Sequence, residues 1–171
     1  MTLIVATQNQ GVWPPREKLV GLGIWCLNQN PENKTQVSLD RVMPPYGLDP
    51  DTKARDEAKA QDLAGWLLGE LSRRLGDFNI CDYSTAELKL ILGHWLVRYS
   101  RMVVNRHGTL SSALHALPTS EFWACPSDWR PEVPATTGEA LSYMNDDVAN
   151  WFTFSSIAKA MGVSIVAAPD S

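Results

Sequence analysis

The chain has 171 residues, of which 44% are hydrophobic and 20% are charged, and its formal net charge is -4 at pH 7. This length suits one domain with a sizeable core, and the acidic balance excludes general nucleic-acid binding, which depends on an excess of basic residues. No apolar run reaches the roughly 20 residues that span a bilayer, and the first residues lack the pattern of a signal peptide. We therefore expect a cytoplasmic protein without a membrane span.

Cysteine, histidine and glycine motifs give no sign of a metal or cofactor site. The three cysteines, Cys26, Cys81 and Cys125, are odd in number and far apart, which disfavours a disulfide framework or a zinc site. No histidine stands at metal-ligand spacing from a cysteine or carboxylate. The phosphate-binding patterns GxGxxG and GxxxxGK[ST] are missing from the sequence. We therefore expect neither a bound metal nor a dinucleotide cofactor. We also expect the cysteines to be small buried side chains.

The chain opens on a predicted buried strand followed by a polar loop. Residues 2–7 form a short apolar and β-branched run, after which come Gln8, Asn9, Gln10 and, slightly later, Trp13. In α/β proteins, ligands bind in the loops that follow the carboxyl ends of parallel strands. These four side chains are therefore candidates for substrate binding, and a plain surface loop is the alternative interpretation.

Alternating strand and helix patterns run along the rest of the first half. Residues 18–26 and 35–43 are candidate strands, and the period of residues 50–75 predicts a helix with acidic residues near its start and basic residues near its end. These elements together indicate an α/β fold with a small, mostly parallel, Rossmann-like sheet and several amphipathic helices.

A capping box predicts the start of a second long helix. Ser84 and Glu87 form the S-x-x-E pattern, and the helix that follows is expected to run to about Asn105. Gly108 is expected to break it. A shorter helix over residues 110–117 should follow.

Two further helices and a strand are predicted in the last third. Residues 118–134 contain four prolines and are expected to form an irregular loop. A second capping box predicts a helix over 136–144, and another helix should span 146–161. The final run 163–167 predicts a strand.

The second long helix separates an apolar stripe from a polar strip. Its apolar residues recur at three- and four-residue steps: Leu88, Ile91, Leu92, Trp95, Leu96, Tyr99, Met102 and Val103. On another face, His94, Arg98, Arg101 and Asn105 stack at steps of four, three and four. Because planar guanidiniums fit phosphate or carboxylate groups, this strip is a candidate anion site. A solvated helix face is the alternative.

Several short motifs give the chain a family resemblance. The first two motifs are the opening LIVATQNQGVW and the G-x-W-C element of Gly23, Trp25 and Cys26. The third is a helix that contains Gly93, Trp95 and Leu96 and ends in Asn105 and Arg106. The stretch Asp146, Asp147 and Asn150 follows them. Together they resemble the N-terminal region of a family of transferases of bacterial O-antigen and surface-polysaccharide biosynthesis, and through this resemblance Trp25 joins the substrate-binding candidates.

The resemblance implies a glycosyl or related group transferase that supplies the acceptor side of a cleft. It also implies a fold like one half of the glycosyltransferase-B architecture. Family members are longer, so a nucleotide-sugar or phosphosugar donor would be held with the help of a second transferase domain or chain. We expect residues 1–171 to form a single α/β domain from the N-terminal part of a longer or split transferase.

Chemical roles follow from this expectation. The loop amides would orient an acceptor hydroxyl, Arg98, Arg101 and Arg106 would offset charge on a leaving phosphate, and Asp146 or Asp147 would act as the base. Helix capping is the alternative for the two aspartates, and a helix C-terminal cation is the alternative for Arg106.

Departures from the family pattern favour a second interpretation. Gln10, Gly11 and Ile24 stand where glutamates are expected, Asn105 replaces aspartate, and His94 replaces proline. Carboxylates are the natural bases for activating a hydroxyl. The alternative function is therefore a non-catalytic binding or scaffold domain derived from such a transferase.

Overall fold

The computed structural model describes residues 2–15, 18–27, 39–77, 83–126, 129, 135–144 and 146–168. Its strands are β1 Leu3–Val5, β2 Leu19–Gly21, β3 Arg41–Val42, β4 Glu121–Ala124 and β5 Ile165–Ala167. Its helices are α1 Pro50–Asp77, α2 Thr85–Ala116, α3 Thr137–Tyr143 and α4 Asp147–Ala160. No helix in these ranges is both long enough and apolar enough to cross a membrane.

All five strands are parallel and lie in the order β3-β2-β1-β4-β5. Leu3 pairs with Leu19 on one side and with Glu121 on the other, so β1 is the central strand. This strand order is that of a Rossmann-like sheet, in which the direction of strand addition reverses beside β1. The predicted α/β class with a parallel sheet is confirmed. The carboxyl end of β1 is the place where such sheets bind ligands.

The chain divides into two compact units. The first, called the sheet unit, comprises Met1–Tyr46 and Arg106–Ser171, and the second, called the hairpin unit, comprises Gly47–Asn105. The boundary falls within α2.

The core of the sheet unit surrounds its central strand. The three residues of β1 are completely buried, and so is Phe122 on β4. Phe154 on α4 is 1% exposed. Parallel strands that are covered on both faces carry continuous apolar runs. The apolar sequence of β1, Leu3–Val5, therefore predicts a buried strand. Helix α4 is fixed to β4 by the Trp151 indole N–H, which donates to the Trp123 carbonyl at 2.9 Å.

The hairpin unit packs α1 against the first part of α2. Its core consists of Ala64, Leu68, Leu88 and Leu96, surrounded by partly buried side chains that include Trp95. The apolar stripe predicted for α2 is therefore confirmed in part. Ile91, which belongs to that stripe, is 59% exposed.

The prediction that Gly108 ends the second helix was wrong. Helix α2 continues to Ala116 and includes the segment expected to be a separate short helix. A Cβ atom on residue 108 would lie 2.2 Å from the Tyr46 ring. Gly108 therefore leaves room for an aromatic side chain at the helix surface.

The prediction of irregular structure over 118–134 was wrong for Glu121–Ala124, which form β4. Four residues are enough for a strand here because β4 pairs with β1 and β5 and because Phe122 and Ala124 are completely buried. Residues 127–128 and 130–134 lie outside the described part of the chain.

Two predicted strands are shorter than expected. Residues 18–26 form only β2, after which a tight turn spans Ile24–Cys26. Of residues 35–43, only Arg41–Val42 form a strand, and 35–38 lie outside the described residues. In contrast, the helix over 50–75, both capping boxes and the final strand are confirmed.

Candidate functional site

The first turn of α4 lies at the carboxyl edge of the sheet, and its cap is Asp146. One Asp146 carboxylate oxygen accepts hydrogen bonds from the backbone N–H groups of Val148 at 2.9 Å and Ala149 at 3.0 Å. Side-chain oxygens at this position satisfy N–H groups that have no partner within the helix. The capping interpretation of Asp146 is confirmed.

The next residue, Asp147, joins α4 to the loop after β1. Its Oδ2 accepts a hydrogen bond from the Thr7 hydroxyl, and its Oδ1 accepts one from the Gln8 backbone N–H at 2.9 Å. The Thr7 hydroxyl in turn accepts a hydrogen bond from the Asn9 N–H at 3.1 Å. A carboxylate is thereby held directly over the carboxyl end of the central strand.

Three side chains on one face of α4 bring the rest of the site together. Asp147, Asn150 and Phe154 are spaced by three and four residues, so they share one face, which we call the α4 site face. Arg106 contacts two of its members. The Arg106 Nε atom donates to Asn150 Oδ1 at 2.6 Å, and the guanidinium carbon lies 5.9 Å from the centre of the Phe154 ring.

Arg106 is also fixed from another direction, since its Nη2 donates to the Met144 carbonyl at 3.0 Å. Burial lowers the pKa of the guanidinium from its ordinary value, yet arginine stays charged in proteins. The result is a half-buried cation of fixed orientation on the α4 site face. Phosphate and carboxylate groups are what such a cation binds best.

Trp25 adds an aromatic ring to the same place. Its indole N–H donates to the Ala6 carbonyl at 3.2 Å, and its ring stacks on Phe154 with 6.1 Å between centroids. Trp25 is nevertheless 38% exposed. A Cβ atom on Gly23 would lie 2.0 Å from the Trp25 ring, so the glycine of the G-x-W-C element allows the indole to lie across the backbone.

Cys26, the last residue of that element, is not suited to act as a nucleophile. The side chain is completely buried, and its Sγ lies 3.5 Å from the Val5 carbonyl oxygen. Burial raises the pKa of the thiol to about 11, and the negative charge of Asp147 acts in the same direction. Since the thiolate is the reactive form, Cys26 is inert near neutral pH.

The remaining candidates of the first loop serve in part to shape it. Trp13 is only 6% exposed, and its indole N–H donates to the Thr7 carbonyl at 3.0 Å. The Asn9 side-chain oxygen accepts a hydrogen bond from Gly11 at 3.1 Å. The Gln8 side chain is exposed, and the side chain of Gln10 lies outside the described part of the structure.

The polar strip of α2 belongs to the hairpin unit. Arg101 forms a two-point ion pair with Glu57, with N···O distances of 2.8 and 2.6 Å, which lowers the pKa of Glu57 and raises that of Arg101. His94, Arg98 and Asn105 are exposed. That this strip binds an anion stays a prediction.

The sheet unit thus brings together Gln8, Trp25, Arg106 and Asp147 from segments far apart in sequence. Thr7 and Phe154 were not predicted. The spacing of Asp147 and Phe154 on one helix face was visible in the sequence, but nothing local distinguished Thr7 at the end of an apolar run. No group of three histidine, cysteine or acidic side chains in the described residues is arranged to hold a metal ion.

Chemically, this arrangement offers an oxygen base, a fixed cation and an exposed aromatic ring. A carboxylate can accept a proton from a hydroxyl, a guanidinium can bind a phosphate, and an indole face can pack on a sugar ring. Comparison with known proteins adds a class of activity. A family model described as LIC12162 family transferase matches residues 2–170 of the chain. No curated protein and no solved structure shows significant similarity to it.

Proposed function

The chain belongs to the LIC12162 family of transferases, and from this premise we propose that it transfers a glycosyl or related group to a hydroxyl acceptor in bacterial surface-polysaccharide assembly, including that of O-antigen. The proposed donor is a nucleotide-sugar or phosphosugar, held with the help of a second transferase domain or chain. The sheet unit supplies the acceptor side of the cleft. Its Rossmann-like strand order supports this role, because such sheets bind ligands at the edge where the site lies.

The observation that carries the proposal is that Asp147 lies on the α4 site face at the carboxyl edge of the sheet and that Arg106 contacts two other members of that face. Transfer to a hydroxyl requires a group that accepts its proton and a cation that stabilises the departing phosphate. Asp147 suits the first task better than Asp146, whose carboxylate caps α4. Arg106 suits the second.

The proposed step proceeds as follows. The acceptor hydroxyl passes its proton to Asp147 while its oxygen forms a bond to the donor carbon. The bond between that carbon and the phosphate oxygen breaks, and the electron pair leaves with the phosphate toward Arg106. The exposed face of Trp25 packs on the acceptor ring, and the side chains of Gln8 and Asn9 orient its hydroxyl groups.

One observation favours a second candidate, a non-catalytic binding domain. Asp147 already accepts hydrogen bonds from Thr7 and Gln8, and these bonds suit a structural carboxylate as well as a catalytic one. Both candidate functions predict that the chain binds the ligand, but only the transferase function predicts that the group is transferred.

Calorimetric titration with nucleotide-sugars, free nucleotides and phosphosugars tests binding. We expect Arg106→Gln to weaken the affinity for a phosphorylated ligand by about tenfold or more, because a charge-assisted bond is lost. The matched control, Arg74→Gln at an exposed position of α1, should bind as the wild type does. If no phosphorylated ligand binds in the presence of the second domain or chain, or if Arg106→Gln binds unchanged, the proposal is wrong.

Turnover is tested with Asp147→Asn. Loss of a general base reduces rates by about 10²- to 10⁴-fold, so this variant should retain ligand binding and lose transfer. A wild-type chain that binds ligand without transfer, in the presence of its second domain or chain, would establish the non-catalytic alternative instead.

A further inference from the structure

The hairpin unit holds an open cavity between α1 and α2 that the proposed function does not use. Its volume is about 450 Å³, within the range of roughly 300 to 1,000 Å³ that small-molecule sites occupy. Its floor is apolar, formed by Ala64, Leu68, Leu96 and Val97. Three of these residues, Ala64, Leu68 and Leu96, also belong to the core of the unit.

The polar side chains around this floor are basic or neutral. Lys89, His94 and Arg101 line the cavity together with Gln61, and none of its lining residues is acidic. Arg101 is held in place by its ion pair with Glu57, whereas Lys89 and His94 are exposed. The charge complementarity is therefore that of a site for an anion above an apolar surface.

An exposed leucine that does not itself line the cavity lies beside it on α2. Leu90 is 88% exposed and lies three, four and seven residues before Gly93, His94 and Val97, which places it on the same helix face. A soluble anion alone would leave this apolar surface in water, and a neutral chain alone would leave the basic side chains unused.

We propose that this cavity binds an amphiphile with one apolar chain and one anionic head, either a phosphate or a carboxylate. The chain lies over the floor between the two helices, and the head lies against Lys89 and His94. This site is separate from the α4 site face, so it stands or falls independently of the proposed transferase function.

A glycine in the cavity wall allows a direct steric test. A Cβ atom on Gly65 would have no protein atom within 4 Å, so a larger side chain can fill the cavity without a clash. Replacing a helical glycine also favours the helix. Gly65→Leu should therefore fold at least as stably as the wild type while it blocks the site.

Gly76→Leu is the matched control. Gly76 lies on the same helix, also has no atom within 4 Å of an added Cβ, and does not line the cavity. Binding is measured by calorimetry with octyl phosphate and octanoate below their micelle concentrations, and with 1-octanol and inorganic phosphate. We expect octyl phosphate, octanoate or both to bind the wild type and Gly76→Leu with equal affinity. Their affinity for Gly65→Leu should be lower by about tenfold or more. The affinities of the first two probes distinguish a phosphate head from a carboxylate head.

A charge variant tests the head group. Lys89→Gln combined with His94→Gln should weaken binding of the anionic amphiphile about tenfold and leave any binding of 1-octanol unchanged. Lys159→Gln, on α4 in the sheet unit, provides the same loss of a lysine elsewhere. The proposal would be overturned if the amphiphile that binds the wild type more tightly bound Gly65→Leu equally well, or if inorganic phosphate bound the wild type as tightly as that amphiphile. So would a wild-type chain that binds neither octyl phosphate nor octanoate.

Discussion

Ser100 on α2 buries a hydroxyl that has no hydrogen-bond partner among the described residues. The side chain is completely buried, and an unsatisfied buried hydroxyl costs about 1 to 3 kcal/mol. We expect Ser100→Ala to stabilise the protein by about 1 kcal/mol, since alanine removes this group and also favours the helix. Thermal unfolding measures the gain, and Ser112→Ala, at an exposed position of the same helix, is the control. A lower melting temperature for Ser100→Ala would mean that the hydroxyl has a partner, such as a water molecule.

The Cys26 thiol makes the stability of the folded protein depend on pH in the alkaline range. Its pKa is raised from 9.0 to about 11 by burial, so the folded state holds its proton more tightly than the unfolded state. The resulting stabilisation is fully present below pH 9.0 and is lost as the pH rises through about 11. We expect the difference in melting temperature between the wild type and Cys26→Ala to shrink over this interval. A difference that stays constant from pH 8 to 11 would contradict the raised pKa.

Some members of the candidate site could be nominated from the sequence and others could not. Asp147 and Arg106 could be nominated because charged side chains at element ends are visible in a sequence, and Trp25 could be nominated through the family resemblance. Thr7 and Phe154 could not, since an apolar run does not show which of its members meets a distant segment. Asp147 lies 140 residues from Thr7, so this contact depends on the whole fold.

Among the helices, α2 carries Trp95, whose contribution to stability is limited because the side chain is only partly buried. Its ring stacks on Tyr99 with 5.2 Å between centroids and packs on the core of the hairpin unit, but it is only partly buried. A fully buried tryptophan replaced by alanine costs about 3 to 5 kcal/mol. We therefore expect Trp95→Ala to cost about 2 kcal/mol in a denaturant titration.

Trp66→Ala is the matched control for this measurement. Trp66 lies on α1 and is 64% exposed, so its replacement should change the free energy of unfolding by about 0.5 kcal/mol or less. Equal losses for the two variants would contradict the packing of Trp95 in the hairpin core.

Element boundaries were predictable where the signal is local. The capping boxes at Ser84 and Thr136 mark the starts of α2 and α3 because the bonded residues stand three apart in sequence. The end of α2 was not predictable in this way, since the space beside Gly108 is filled by Tyr46, 62 residues earlier in the chain. Strand β4 was hidden by the prolines on either side of it.

For the whole molecule, the class of fold followed from alternating patterns, but the strand order did not. Each strand has only two to four residues, and β1 pairs with β4, a segment more than a hundred residues away. Local propensity carries no information about such pairings. The position of the site follows from this order, because it places the loop after β1 beside the start of α4.

Four tryptophans help to hold that loop region together. The indole N–H groups of Trp13, Trp25, Trp123 and Trp151 each donate to a backbone carbonyl within the sheet unit. Three of these rings are at least 93% buried, at 6%, 5% and 7% exposure, and only Trp25 reaches solvent. With Trp129, five of the seven tryptophans of the chain lie in this one unit.

This distribution gives the protein an internal optical reporter. Only two tryptophans, Trp66 and Trp95, lie in the hairpin unit, so replacing these two and the partly buried Trp129 with phenylalanine confines the tryptophan emission to the four rings above. The colour of that emission would then follow the solvent around Trp25, the one exposed ring of the four. A sugar that covers this ring would shift the emission toward the blue, so that occupancy of the site could be monitored without a label.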